Sequence, residues 1–195
     1  ANNPEAVLDG VEKAFSYPVF IKPAGTGSSV GVSKAKNREA LLAALTNASK
    51  YDSKILVEEF INGREVEVAV LGNDNPFASV CGEIDSGAEF YDYDAKYISD
   101  CAQLYIPARI PEEVSERVRD NAIRIYEAMG CRGLSRVDFF LSKDGSIILN
   151  EINTLPGFTS ISMYPKLMEH EGLPVPQLID RLIALALERK EKQHG

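Results

Sequence analysis

The chain has 195 residues, 45% of them hydrophobic and 26% charged, enough apolar material to bury a core and to exclude a disordered chain. Its 29 acidic and 21 basic residues leave a net charge of −8, a field that repels nucleic-acid backbones and anionic membranes. Cys81, Cys101 and Cys131 have no C-x-x-C spacing, and His170 and His194 lie far from them in sequence, which argues against a disulfide framework or zinc site and fits a reducing cytoplasm.

Asn3-Pro4-Glu5 reads as a helix cap, a first-turn proline and an acidic first turn, opening a helix to about Phe15. Its acids, Glu5, Asp9 and Glu12, are unlike a signal peptide, and no apolar run approaches the ~18 residues of a membrane span. Residues 18–22 read as a strand, followed by a loop with Gly25, Gly27, Ser28, Ser29 and Gly31, and Val30–Ser33 resumes a short strand. Asn37 caps a second helix with Leu41, Leu42 and Leu45 as its apolar stripe. Lys54–Ile61 is a strand, Asn62-Gly63 a hairpin turn, and Arg64–Leu71 the return strand. A turn at 72–76 leads to a strand over Phe77–Ile84, and the long polar stretch 85–100 is rich in tyrosine.

Pro111 opens an amphipathic helix to about Met129, ended by Gly130. Val137–Leu141 and Ser146–Glu151 form a hairpin around Asp144-Gly145, and an irregular loop follows over Asn153–Ser162. Two helices close the chain, from about Pro165 and from about Pro174 to Lys190, the last with Leu178, Ile179, Leu182, Ile183, Leu185 and Leu187 turned to the core. Hairpins interleaved with helices predict an α+β fold with antiparallel sheets, in two subdomains of residues 1–72 and 73–195.

The Asp144-Gly145 hairpin carries the most chemistry. A two-residue loop makes facing positions sum to a constant, so Lys143 faces Ser146, Phe140 faces Leu149, Asp138 faces Glu151 and Arg136 faces Asn153. Period two then puts Arg136, Asp138, Glu151 and Asn153 on one face; a three-residue loop destroys this pairing. Facing carboxylates repel, so they need a cation or a shared proton. Two carboxylates and an amide oxygen are hard donors that suit Mg²⁺; the other reading is a solvated pair neutralised by Arg136.

Three further motifs are weaker. Lys22 followed by the glycine–serine loop has the donors of a phosphate clamp or is a flexible turn, and is not a P-loop, because its lysine precedes the glycines. Glu58-Glu59-Phe60-Ile61 with Glu65 reads as a nucleotide-reading strand or as an ordinary hairpin with solvated acids. Phe90-Tyr91-Asp92-Tyr93-Asp94-Ala95-Lys96-Tyr97 reads as a lid or as a packed loop with aromatic anchors.

Together and in this order, these motifs resemble those of the ATP-grasp superfamily, and the chain is similar to the C-terminal two-thirds of a D-alanine–D-alanine ligase. The residues that carry the likeness are Lys22-Pro23 with Gly27–Gly31, Val57–Phe60, Phe90–Tyr93 with Ala95-Lys96-Tyr97, Gly133–Asp138, and Asn150–Ser160. The resemblance implies two α+β subdomains with ATP between them. It assigns Lys22 and Lys96 to phosphate, Gly27, Ser28, Ser29 and Val30 to a loop over the γ-phosphate, Glu58, Glu59, Phe60 and Ile61 to adenine, and Glu65 to ribose. Asp138, Glu151 and Asn153 are implied as ligands of two Mg²⁺ ions, with Mn²⁺ as a substitute. Arg136 and the Gly157 N–H are implied to stabilise the oxyanion, Ser162 to hold the second D-alanine's carboxylate, and Tyr97 to bond toward Ser28.

The implied reaction joins two D-alanines through an acyl phosphate, for peptidoglycan precursors, in a cytoplasmic homodimer with no nucleic-acid or membrane partner. The family also carries an N-terminal domain with part of the D-alanine site. The chain lacks its motifs and is expected to be a piece that does not ligate by itself. The rival readings are a D-alanine–D-serine or D-alanine–D-lactate ligase, another ATP-grasp carboxylate–amine ligase, and a nucleotide-binding module without catalysis.

Overall fold

The computed structural model describes residues 3–27, 29–85 and 103–194, with side chains to Lys190. Ser28, Cys101 and the tyrosine-rich stretch with Lys96 and Tyr97 lie outside the described residues. The chain divides into two compact units, residues 1–62 with 86–102, and residues 63–85 with 103–195.

In the first unit, α1 (Pro4–Ala14) begins where the Asn3 side chain accepts from the Ala6 N–H at 3.2 Å. β1 (Val19–Pro23) is the middle strand of a three-stranded antiparallel sheet, flanked by β2 (Ser33–Ala35) and β3 (Ile55–Glu59). α2 (Arg38–Ala48) is capped by Asn37, which accepts from the Ala40 N–H at 2.9 Å. Alternation along β1 turns Val19 and Ile21 onto a core with Leu8, Leu41, Ala44 and Ala48. The buried face of α2 therefore runs through Leu41, Ala44 and Ala48, and Leu42 is exposed, contrary to the stripe read from sequence. Arg38 joins α2 to α1 by pairing with Glu5, Asp9 and Glu12, which share one face of α1.

The second unit is built on a five-stranded antiparallel sheet, β6-β5-β4-β7-β8. Its strands are β4 (Gly63–Gly72), β5 (Phe77–Asp85), β6 (Gln103–Tyr105), β7 (Gly133–Ser142) and β8 (Ile147–Asn153). Val66, Val68 and Val70 of β4 and Val137 and Phe139 of β7 pack one face against Val118, Ala122 and Tyr126 of α3 (Glu112–Ala128). On the other face lie Glu65, Glu67 and Gly82, the last against Met163 and Leu167 of α4 (Met163–His170). Glu83, 3% exposed, accepts from Arg64 Nε (3.0 Å) and Nη2 (2.9 Å) and from Arg109 N (3.0 Å), Nε (3.2 Å) and Nη2 (2.9 Å). Burial pushes this carboxyl up, but the arginine hydrogen bonds outweigh it and hold it below its ordinary value.

Three expectations are corrected here. Asn62-Gly63 is not a hairpin turn: β3 pairs with β1, whereas β4 pairs with β5 and β7 in the other sheet. Gly63 answers close strand approach, because a Cβ there would lie 2.3 Å from the Leu141 carbonyl oxygen. The division expected at residues 72–76 consequently falls at 62/63, since β4 belongs wholly to the second sheet. In α5 (Val175–His194) Leu178 and Leu185 are buried, while Ile179, Ile183 and Leu187 are exposed. A helix lying on the outside of a unit buries one narrow stripe, here two turns apart, and not every apolar position.

Candidate functional site

The second unit carries the densest constellation. β7 pairs with β8 so that Arg136 stands opposite Asn153 and Asp138 opposite Glu151. The route to this pairing differs from the one read in the sequence. The turn is a three-residue loop, Lys143-Asp144-Gly145, with Ser142 N–H bonded to Ser146 O at 3.0 Å and Gly145 at φ 86°. Such a loop shifts the register by one, so Phe140 faces Ile148 and Phe139 faces Leu149. An extra residue in β8, Asn150, forms a β-bulge and shifts the register back between Phe139 and Asp138. Two offsets cancel, and the acids meet.

β4, on the other side of β7, adds a residue that the sequence reading missed. Glu67 stands opposite Asp138, so three acids, Glu67, Asp138 and Glu151, cross three adjacent strands in a row. Glu67 is 3% and Asp138 2% exposed. Arg136 is the cation between the two and offsets part of their charge: Nε donates to Asp138 Oδ1 at 2.8 Å, Nη2 to Oδ2 at 2.7 Å, and Nε lies 3.1 Å from Glu67 Oε2. Burial pushes the guanidinium's proton affinity down, but the Asp138 hydrogen bonds and the charges of Glu67, Asp138 and Glu151 raise it further, so Arg136 stays charged.

The loop after β8 returns to this face. Asn153 Oδ1 accepts from the Leu155 N–H at 3.2 Å. Ser162 Oγ accepts from the Thr159 N–H at 3.0 Å and lies 2.9 Å from Thr159 Oγ1. A Cβ on Gly157 would sit 2.8 Å from Ser162 Oγ, so the glycine makes room for that hydroxyl. Glu65 lies two residues before Glu67 on the same face of β4, opposite Phe140 and Ile84.

The donor set fits a hard divalent cation: two carboxylates and an amide oxygen at adjacent cross-strand positions. Among the described residues no three His, Cys, Asp or Glu side chains converge as a metal cluster, so any such ion needs Asn153 or further ligands.

The first unit holds the other expected residues. Lys22 Nζ is 2.7 Å from Glu58 Oε1. Phe20 and Phe60 have ring centroids 6.1 Å apart, and Lys34 Nζ lies 3.9 Å from the Phe60 centroid. Register puts Lys34 and Glu58 on either side of Phe20, forming a mixed aromatic and charged face on the side of the sheet away from α1 and α2. Glu59 has the opposite parity and is exposed, and Ile61 lies beyond the strand end, half-buried. Lys34 was missed because the short strand was read a few residues early.

The glycine loop is anchored at both ends. Asp52 accepts from the Gly25 N–H at 2.6 Å and the Lys54 N–H at 3.0 Å; these backbone bonds, Lys54 first, hold its carboxyl below the ordinary range. Gly31 has φ 77°, and a Cβ there would meet Tyr51 at 2.7 Å and Pro23 at 2.8 Å. Between them Thr26 Oγ1 donates to Val30 O at 2.9 Å, Val30 N–H donates to Gly27 O at 3.1 Å, and Ser29 is left-handed at φ 59°. Asp52 and Tyr51 carry no motif signal; only the fold brings them to the loop.

Comparison with known proteins gives this geometry a family. Residues 1–184 match the family model described as D-ala D-ala ligase C-terminus. The D-alanine–D-alanine ligase of Acetivibrio thermocellus is 58% identical over 186 residues, 95% of this chain and 50% of that protein. The ligase of Chlorobium phaeovibrioides is 54% identical, over 97% of this chain and 53% of that protein. Among solved structures, the VanG D-Ala:D-Ser ligase of Enterococcus faecalis superposes with TM-score 0.84 at 44% identity, over 94% of this chain and 54% of that one. The D-alanine–D-alanine ligase of Coxiella burnetii gives TM-score 0.83 at 36% identity, over 98% and 51%. The chain thus spans about half the length of these curated relatives, less than the two-thirds read from its motifs. By family match, identity and an α+β ATP-grasp architecture, the chain belongs to the D-alanine–D-alanine ligase C-terminal family.

Proposed function

We propose that this chain is the ATP- and Mg²⁺-binding portion of an enzyme that joins two D-alanines into D-alanyl-D-alanine for peptidoglycan precursors. The full-length protein is read as a cytoplasmic homodimer; among the described residues no helix is long and apolar enough to cross a membrane. The observation that carries the reading is the placing of Arg136, Asp138, Glu151 and Asn153 on one sheet face of a chain matched by this family.

In the reaction, a carboxylate oxygen of the first D-alanine takes the γ-phosphoryl group and ADP leaves. The amine nitrogen of the second D-alanine attacks the acyl carbon, the bond to phosphate breaks, and the nitrogen loses a proton. Arg136 and the Gly157 N–H meet the negative charge on the acyl oxygen, where fixed donors act most strongly. Ser162 holds the incoming carboxylate. Lys22 exchanges Glu58 for phosphate, and the segment Glu58, Glu59, Phe60 and Ile61 receives adenine, partly by its backbone, with Glu65 on the ribose. Gly27, Ser28, Ser29 and Val30 are assigned to the γ-phosphate, and Lys96 and Tyr97 to the same step, in which water must be kept from the acyl phosphate. Asp138, Glu151 and Asn153 would hold two Mg²⁺ ions, or Mn²⁺, which when bound would supply the positive charge that phosphoryl transfer requires.

The likeness to VanG favours one second reading, a D-serine acceptor. A hydroxyl's worth of selectivity resides in a few pocket contacts. Dipeptide and phosphate formation by the full-length protein, with ATP, Mg²⁺ and D-alanine, D-serine or D-lactate as acceptor, tests both. D-alanyl-D-alanine as the main product is expected. A preference for D-serine moves the assignment, and ATP binding without any ligation overturns it in favour of a binding module.

A further inference from the structure

Glu67 belongs to no motif, yet it stands at the centre of the site face. It lies in β4, paired on both sides, directly opposite Asp138 and almost wholly buried. Both Asp138 oxygens are taken by the Arg136 fork, at 2.8 and 2.7 Å, and the Nε that serves Oδ1 is already 3.1 Å from Glu67 Oε2. Each oxygen keeps a second lone pair, so an ion on Asp138 does not have to evict the fork, but its positive charge repels the guanidinium and draws electron density from the oxygens that hold it. A buried guanidinium that loses its acceptor without gaining another is destabilised.

We propose that Glu67 is a positioning residue that takes over Arg136 when Asp138 turns to the metal, so that the guanidinium keeps its charge and place on the sheet face. This rests on the assignment of Asp138 as a metal ligand. The planar guanidinium presents five N–H groups in a rigid fork, so the exchange needs only a small rotation about an Nε contact that already exists. Glu65, on the same face, stands opposite Phe140 and cannot substitute.

The test uses the intact protein with ADP and follows bound Mn²⁺ by electron paramagnetic resonance, with melting curves to establish folding. Glu67→Gln removes the charge and keeps the shape; it is expected to weaken Mn²⁺ binding about tenfold, within the usual coupling of contacting residues. Glu67→Asp, which keeps the charge, is expected to recover part of that loss and carries the test if the glutamine variant does not fold. In an Arg136→Met background no guanidinium needs a new partner, and the effect of Glu67→Gln is expected to vanish. Unchanged binding by Glu67→Gln, beside a Asp138→Asn variant that binds poorly, overturns the inference alone. A loss as severe as that of Asp138→Asn in both backgrounds also overturns it, because Glu67 is then a ligand. Normal binding by Asp138→Asn sinks the metal assignment and this inference with it.

Discussion

Asp138 and Glu151 face each other because an odd turn and a β-bulge cancel: the three-residue loop shifts the hairpin by one position and Asn150 shifts it back. Deleting Asn150 removes the bulge and leaves a regular ladder in which Glu151 still meets Asp138. Deleting Ile152, beyond the bulge, moves Asn153 to the opposite face. If Asn153 is a ligand as proposed, Mn²⁺ binding is expected to survive the first deletion and to fall at least tenfold in the second. Binding measured beside thermal melts checks this; equal loss in both folded variants would show that register does not set the site.

Arg136 is the cation for two buried acids, so its removal is costly. Arg136→Met is expected to destabilise the protein by about 3–5 kcal/mol, the usual result of leaving buried charge uncompensated. Arg136→Lys should cost less but not nothing, because an ammonium cannot reproduce the fork to both Asp138 oxygens. Urea unfolding reads both, and a methionine variant as stable as its parent contradicts the assignment.

The Glu83 carboxyl is held below its ordinary value of 4.5 by two arginines. A depressed carboxyl contributes stability that is full above its unfolded value and is lost as pH falls through its folded value. Glu83→Gln should therefore lower stability by about 2 kcal/mol near neutrality, typical for charged hydrogen bonds. The deficit should shrink as pH drops below 4.5. A deficit that stays constant between pH 7 and pH 3 would falsify the linkage.

At Gly63 the strands approach too closely for any side chain. Gly63→Ala places a Cβ against the Leu141 carbonyl and should destabilise by about 1–3 kcal/mol through overpacking. Because Gly63 does not have positive φ, D-alanine introduced there by chemical ligation should not rescue stability as it does at a turn glycine. Denaturation of the L- and D-alanine proteins distinguishes the two accounts.

What could be read from the chain follows a physical line. The acid pair was reached from the sequence only because two offsets cancel: the loop has three residues where two were expected, and the Asn150 bulge restores Asp138 with Glu151 and Arg136 with Asn153, while the expected pairing of Phe140 with Leu149 fails. Glu67 could not be found this way: β4 and β7 are distant in the chain, and only the sheet order β5-β4-β7 brings Glu67 beside Asp138. Asn62-Gly63 misled for the same reason, since a local turn signal competed with pairing across the whole second unit. The caps at Asn3 and Asn37 were legible because capping is an interaction within three residues. The Asp52 and Tyr51 anchors of the glycine loop were not, as nothing local marks them.

The sheet order also divides the acid row by rigidity. β4 and β7 have neighbours on both sides, whereas β8 is the last strand of its sheet among the described residues. Local opening works inward from such edges. Glu67, Arg136 and Asp138 therefore form the durable half of the face, and their backbone amides are expected to exchange slowly. Glu151 and Asn153 ride on an edge strand, and a bound cation would fasten that edge to the interior, which would make ligand binding visible as slowed hydrogen exchange along β8.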